Sequence, residues 1–186
     1  MELIKAEKFL CVFALVEIIL KDIGISDWDQ LAISKEFDIV VPFGYTGPIS
    51  NARFSNKVWE LGAHLDLISM NKFLNQIGAG YQCKYFPWNF MTEVTFEETI
   101  GDELLAGNYL LVTFSYGNLC REHDLDDVGH SGLVLGINGD YIQMYDPGPR
   151  AYGVKNIRLF NLFDAIRKKQ GGMYSFYKMG RQGISR

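Results

Sequence analysis

From Phe9 to Ile23 the apolar residues Leu10, Ala14, Leu15, Ile18, Ile19 and Ile23 recur at helical spacing. The pattern predicts a buried first helix, with Gly24 as its C-terminal cap. A second helix is expected after Ser26, where Asp29 gives a capping-box-like start; Leu31 and Ala32 face inward and the helix ends near Phe37. Val41 to Asn51 holds two Pro and two Gly and reads as a loop. Ser55 opens a short helix through Trp59 to Gly62. Ser69 opens another that ends at Gly78, and a further one runs from about Thr95 to Ala106.

Beyond Gly107 the pattern changes. Tyr109 to Tyr116 is apolar and rich in strand-favouring residues, and Ser131 to Ile137 reads as a second strand. Asn138-Gly139 is a hairpin turn signal, with Asp140 to Tyr145 as the returning strand. Asp146-Pro147-Gly148-Pro149 ends that strand in a turn. Leu159 to Lys169 is an amphipathic helix with Leu159, Leu162, Phe163 and Ile166 inward, and Met173 to Lys178 is a last strand. The expected fold class is α+β: one domain over residues 1–186, with a helical half at about 1–107 packed on a small antiparallel sheet at about 108–186.

Composition narrows the function classes. Hydrophobic residues make up 48% of the 186 and charged residues 22%, which excludes wholesale disorder. A net charge of −4 offers no basic excess to hold a phosphate backbone, so nucleic acid is not the expected partner. The apolar run after Lys5 and Lys8 is too short for a bilayer and is interrupted by Glu17. Lys21-Asp22 follow where small residues would mark a signal cleavage site, so the run reads as a mature buried helix, not a membrane segment. Cys11, Cys83 and Cys120 are an odd, widely spaced set. That is no disulfide framework; it fits a reducing compartment and a cytoplasmic location.

Three residues invite chemistry. Cys11 opens the first long helix, where unpaired N–H groups and the helix dipole favour a thiolate. The alternative is a small apolar core residue. His130 sits between Gly129 and Ser131-Gly132, where little bulk surrounds the imidazole. Asp146 ends the partner strand. Either could instead be purely structural, His130 as a satisfied core histidine and Asp146 as the cap of the Pro-Gly turn. Register decides whether they meet. A strict two-residue turn at Asn138-Gly139 pairs Ser131 with Asp146 and puts His130 and Asp146 on opposite faces. A three-residue loop or a bulge pairs His130 with Asp146, so that His130 and Val134 share a face with Ile142, Met144 and Asp146.

The order of these parts resembles the papain-like cysteine peptidase superfamily. The cysteine helix Cys11-Val-Phe-Ala-Leu-Val-Glu-Ile-Ile-Leu comes first. The late strand His130-Ser-Gly-Leu-Val-Leu-Gly-Ile and the return Tyr141-Ile-Gln-Met-Tyr-Asp146-Pro147-Gly148 follow. The branch most similar is the one containing the double-glycine leader peptidases of bacteriocin exporters. The resemblance implies a papain-like fold acting on a peptide or protein substrate without a cofactor. By it, Cys11 is the nucleophile, His130 the general base and later acid, Asp146 the residue that orients the imidazole, and the Cys11 N–H half of an oxyanion hole. The same parts serve acyltransferases, and a catalytically weak module would only bind peptide. The family places a Gln about six residues before its cysteine as an oxyanion donor. Here that position is Lys5, with Glu7 and Lys8 nearer, and the first Gln is Gln30. Lys5 or Lys8 could replace the donor; a carboxylate at Glu7 would repel an oxyanion.

A competing zinc reading draws on Cys120, His123 and His130, with Asp124, Asp126 or Asp127 completing the set. A polar loop is the preferred reading of that segment, and its acidic residues would favour a basic substrate at the cleft rim. His64 reads as a loop or strand-edge residue. Cys83, among Tyr81, Tyr85, Phe86 and Trp88, reads as packing, although that aromatic cluster could line a groove.

Overall fold

The computed structural model describes residues 1–122, 128–148 and 152–180. In chain order the elements are α1 (Cys11–Asp22), α2 (Gln30–Ser34), β1 (Asp38–Val41), β2 (Arg53–Phe54), β3 (Gly62–His64), α3 (Leu67–Gln76), β4 (Tyr81–Pro87), α4 (Glu93–Leu105), β5 (Tyr109–Ser115), α5 (Tyr116–Cys120), β6 (Gly129–Asn138), β7 (Tyr141–Asp146), β8 (Gly153–Arg158), α6 (Leu159–Lys169) and β9 (Gly172–Lys178). Side chains start four of the helices: Asp29, Asp66 and Ser115 accept N–H bonds from Ala32, Ser69 and Asn118, and Thr92 forms a capping box with Thr95.

The six-stranded sheet runs β4-β9-β5-β6-β7-β8 with every neighbouring pair antiparallel, and a three-stranded sheet runs β2-β1-β3. The large sheet is covered on both faces. Leu111 of β5, Leu133 of β6 and Tyr145 of β7 pack into a core with α1, α2, α3 and β1. Leu110, Val112 and Phe114 of the same β5 point the other way, toward α4 and α6. A strand buried on both faces reads as a continuous apolar run, which is how Tyr109–Ser115 reads. α1 is buried from Val12 through Leu20 because it lies inside the first core, and the ring contacts Phe13–Phe37 and Phe37–Phe73 tie it to α3.

The first hundred residues are less helical than the periodicity predicts. They carry β1 to β4, and Ser55–Gly62 holds only a 3-10 turn at Val58–Glu60 between β2 and β3. These strands are short or lie at sheet edges, so tertiary pairing, not local alternation, makes them strands. No helix among the described residues is long and apolar enough to cross a membrane.

The hairpin takes a route different from both expected registers. The two-residue turn is Gly139-Asp140, one position later than the sequence signal, with Asn138 paired to Tyr141 and Gly139 at φ 55. A bulge at Leu135 then shifts the ladder, so that Val134 pairs with Met144 and Leu133 with Tyr145. Continuing that register sets Asp146 opposite Gly132, two residues from His130 along the same face. The pair is diagonal, a separation that long side chains cross.

Candidate active site

Cys11 is the first residue of α1. Its N-cap, Leu10, has no side chain able to take up the first-turn N–H groups, so those donors and the positive end of the helix dipole stay at the thiol. The turn before it is tight: Leu10 N–H donates to the Glu7 carbonyl at 3.0 Å, and Phe9 holds a left-handed φ of 71. A bulky residue in that region is strained, and such strain persists where surrounding structure fixes it.

His130 lies one residue into β6, 8% exposed. Its Nε2–H donates to Asp146 Oδ1 at 2.8 Å, and the same oxygen accepts the Gly148 N–H at 2.9 Å. The carboxylate is therefore fixed by the turn that follows β7. Phe114 and Tyr116 stand edge-on to the imidazole, with centroids at 5.6 and 5.2 Å. With Nε2 engaged, Nδ1 is the ring nitrogen left to face Cys11, which borders the same cavity as His130. The structure thus gathers Cys11 and His130 on one cavity, with Asp146 in direct contact with the His130 ring.

The electrostatics follow from that contact. Desolvation opposes the imidazolium of His130, but the Asp146 bond and the Cys11 thiolate outweigh it and raise its pKa from 6.5 to about 9. Desolvation also opposes the Cys11 thiolate; the bond and charge of His130, then the side chain and backbone of Ser131, outweigh it and lower the thiol below its ordinary value. Each group therefore favours the charged form of the other.

Two cavities open at this point. One of about 220 Å³ is walled by Phe9, Val58, Leu61, Tyr116 and Val128 around Cys11 and His130, with Glu7 and Lys8 at its rim. The other, of about 360 Å³, lies past Ser131 toward Tyr85, Tyr174, His64 and Gln170. Gly62 and Gly129 border both. The room beside the histidine is partly spent on packing: a Cβ at Gly132 would sit 2.4 Å from the Met144 sulfur, and one at Gly129 2.7 Å from the Lys169 stem.

Residues that sequence reasoning passed over also belong to the site. Ser131 bonds the thiol, and Phe9, Tyr116 and Gln170 line the cavities; only Ser131, adjacent to His130, had a local signal. Gln30 is not in the cleft: it bonds the backbone of Lys5 and Glu7. His64 is an exposed residue at the edge strand β3, its Nε2 2.9 Å from the Glu60 carbonyl oxygen. Cys83 is buried in β4, where desolvation pushes its thiol up to about 12. Cys120 is exposed on α5 beside Tyr116. His123, Asp124, Asp126 and Asp127 lie outside the described residues, and among those described no three His, Cys, Asp or Glu side chains gather as metal ligands.

No family model and no curated protein matches the chain in sequence. In structure it is similar to a Bacillus anthracis protein described as a C39-like peptidase, with a TM-score of 0.63 at 12% identity, over 95% of this chain and 94% of the other. The two chains share a fold over almost their whole length, and the fold is the α+β papain-like fold.

Proposed function

We propose that Cys11, His130 and Asp146 are a catalytic triad and that the chain is a cysteine peptidase-type hydrolase of peptide substrates, with the double-glycine peptidase-like branch as its nearest resemblance. One observation carries the reading: Asp146 holds His130 by Nε2 at 2.8 Å while the opposite edge of the ring engages the thiol at the mouth of a helix. A structural histidine has no need of a lowered-pKa thiol on its free side, beside an open cavity.

The Cys11 sulfur attacks the scissile carbonyl carbon, and the C=O electron pair moves to oxygen. The Cys11 N–H and the α1 dipole meet that oxyanion. As the C–N bond breaks, His130 Nδ1 gives its proton to the leaving amine. His130 then takes a proton from water, the hydroxide attacks the thioester, and the thiolate departs. Asp146 keeps the ring oriented and its cationic form stable throughout. The apolar walls of the smaller cavity suit an uncharged side chain next to the reacting carbonyl. Among the described residues no glutamine borders that cavity; Lys8 on it and Gln170 on the adjoining one are the candidate side-chain donors to the oxyanion.

The test is a p-nitrophenyl ester of N-acetyl-leucine. The expected result is a burst of nitrophenolate with an acyl group on Cys11 by mass spectrometry, followed by hydrolysis, and neither with Cys11→Ala in a folded protein. An acylated enzyme that discharges only to added amine would make the chain an acyltransferase. No acylation of a folded wild-type chain would leave a peptide-binding module.

A further inference from the structure

The approach to Cys11 is held by an unusual number of bonds for an N-terminal stretch. The Tyr145 hydroxyl donates to the Ile4 carbonyl at 2.6 Å. Gln30 Nε2 donates to the Lys5 carbonyl at 3.1 Å, and its Oε1 accepts the Glu7 N–H at 2.8 Å. Between those two clamps, the Ala6 N–H donates to the Pro147 carbonyl at 2.8 Å, and Ala6 is buried. Every residue from Ile4 to Glu7 is thus bonded through its backbone, alternately to α2 and to the end of β7.

Gln30 is itself anchored. Its backbone N–H donates to Glu17 Oε2 at 2.9 Å, and Glu17 is a buried residue of α1, the helix that Cys11 opens. The strap therefore closes a loop from the nucleophile's helix through Glu17, Gln30, residues 4–7 and Pro147 to Asp146. Its last residues, Glu7 to Phe9, form the strained turn and one wall of the smaller cavity. Nucleophile and acid stand on different layers of the fold, and a single amide side chain ties the segment that joins them.

We propose that Gln30 is a positioning residue for the thiol site: by clamping Lys5 and Glu7 it sets the distance between Cys11 on α1 and the His130–Asp146 pair on the sheet. The inference rests on the catalytic reading of Cys11. A glutamine that merely stabilised α2 would have no reason to spend both amide ends on the strap ahead of the cysteine.

The measurement is the rate of Cys11 alkylation by iodoacetamide against pH, in the full chain, with folding followed by circular dichroism. Gln30→Met keeps length and neutrality and removes both bonds. The charged groups lining the site, His130, Glu7 and Lys8 on one side and His64, Asp66 and Lys169 on the other, all remain. The expected result is a midpoint about one unit higher and, at any pH below both midpoints, a rate roughly tenfold lower, because thiolate is lost tenfold per unit below its midpoint. Labelling of Cys120 should not change. A folded Gln30→Met with the wild-type midpoint and rate overturns the proposal. Should Gln30→Met not fold, Tyr145→Phe, which removes only the hydroxyl on Ile4, decides: a raised midpoint supports the strap, and an unchanged one overturns it. A wild-type midpoint equal to that of a free thiol is a separate outcome; it removes the catalytic reading itself, and the positioning role with it.

Discussion

Cys11 and Cys83 are two thiols in close-packed surroundings with opposite chemistry. Cys83 sits in β4 with its N–H donating to Asn71 Oδ1 at 2.7 Å and its carbonyl accepting from Asn71 Nδ2 at 2.9 Å; desolvation alone acts on its sulfur and pushes it to about 12. Cys11 feels desolvation too, but His130 and Ser131 overcome it. Burial by itself silences a cysteine. A hydrogen-bonding cation at a helix mouth activates one, and that cation exists because Asp146 holds it.

The comparison breaks most decisively at His130. His130→Ala should slow alkylation of Cys11 at pH 7 by at least about 100-fold, bringing it toward the unreactive behaviour of Cys83. Retained fast labelling would mean that the helix mouth alone activates the thiol. Asp146→Asn keeps a partner for the ring but removes its charge. The upper limb of the alkylation profile should fall from about 9 toward 6.5, with a rate loss of roughly tenfold, and an unmoved limb would count against the 2.8 Å bond as the cause.

The pair also makes a prediction about pH and stability. A histidine raised from 6.5 to about 9 contributes stability that is complete below 6.5 and fades as pH rises through 9. A thiol lowered from 9.0 contributes stability that is complete above 9.0 and fades as pH falls through its folded value. Between 6.5 and about 9 the two slopes oppose: the folded histidine keeps a proton while the folded thiol gives one up. Denaturant midpoints should therefore change less across that interval than the histidine alone would make them. A wild-type slope as steep as that of the histidine alone would refute this opposition. The smallest effect belongs to the contrasting thiol: Cys83→Ala should cost about 1 kcal/mol of stability and leave Cys11 alkylation unchanged.

Much of the fold is legible locally. α1 and α6 follow the 3.6-residue period, and β5 to β7 follow strand composition and a Gly-containing turn. β8 has no local signal because its burial alternates while its polarity does not follow, Val154 being exposed and Lys155 half-buried. β4 does alternate, with Tyr81, Cys83 and Tyr85 on one side, but its aromatics read equally as a groove. The site divides in the same way. Cys11 at a helix start, His130 at a strand start and Asp146 before Pro-Gly are local signals; the strap over Gln30 links residues up to 141 positions apart and has none.

The sequence by itself determined which residues carry reactive groups and on which kinds of element they ride, because period, caps and turns act over a few residues. Only the tertiary structure decided that they meet. A one-residue change in hairpin register moves a side chain to the other face, and here the bulge at Leu135 makes that change and puts His130 and Asp146 on one face. Sheet pairing fixes that register cooperatively, through packing on both faces, and no short window of residues contains it.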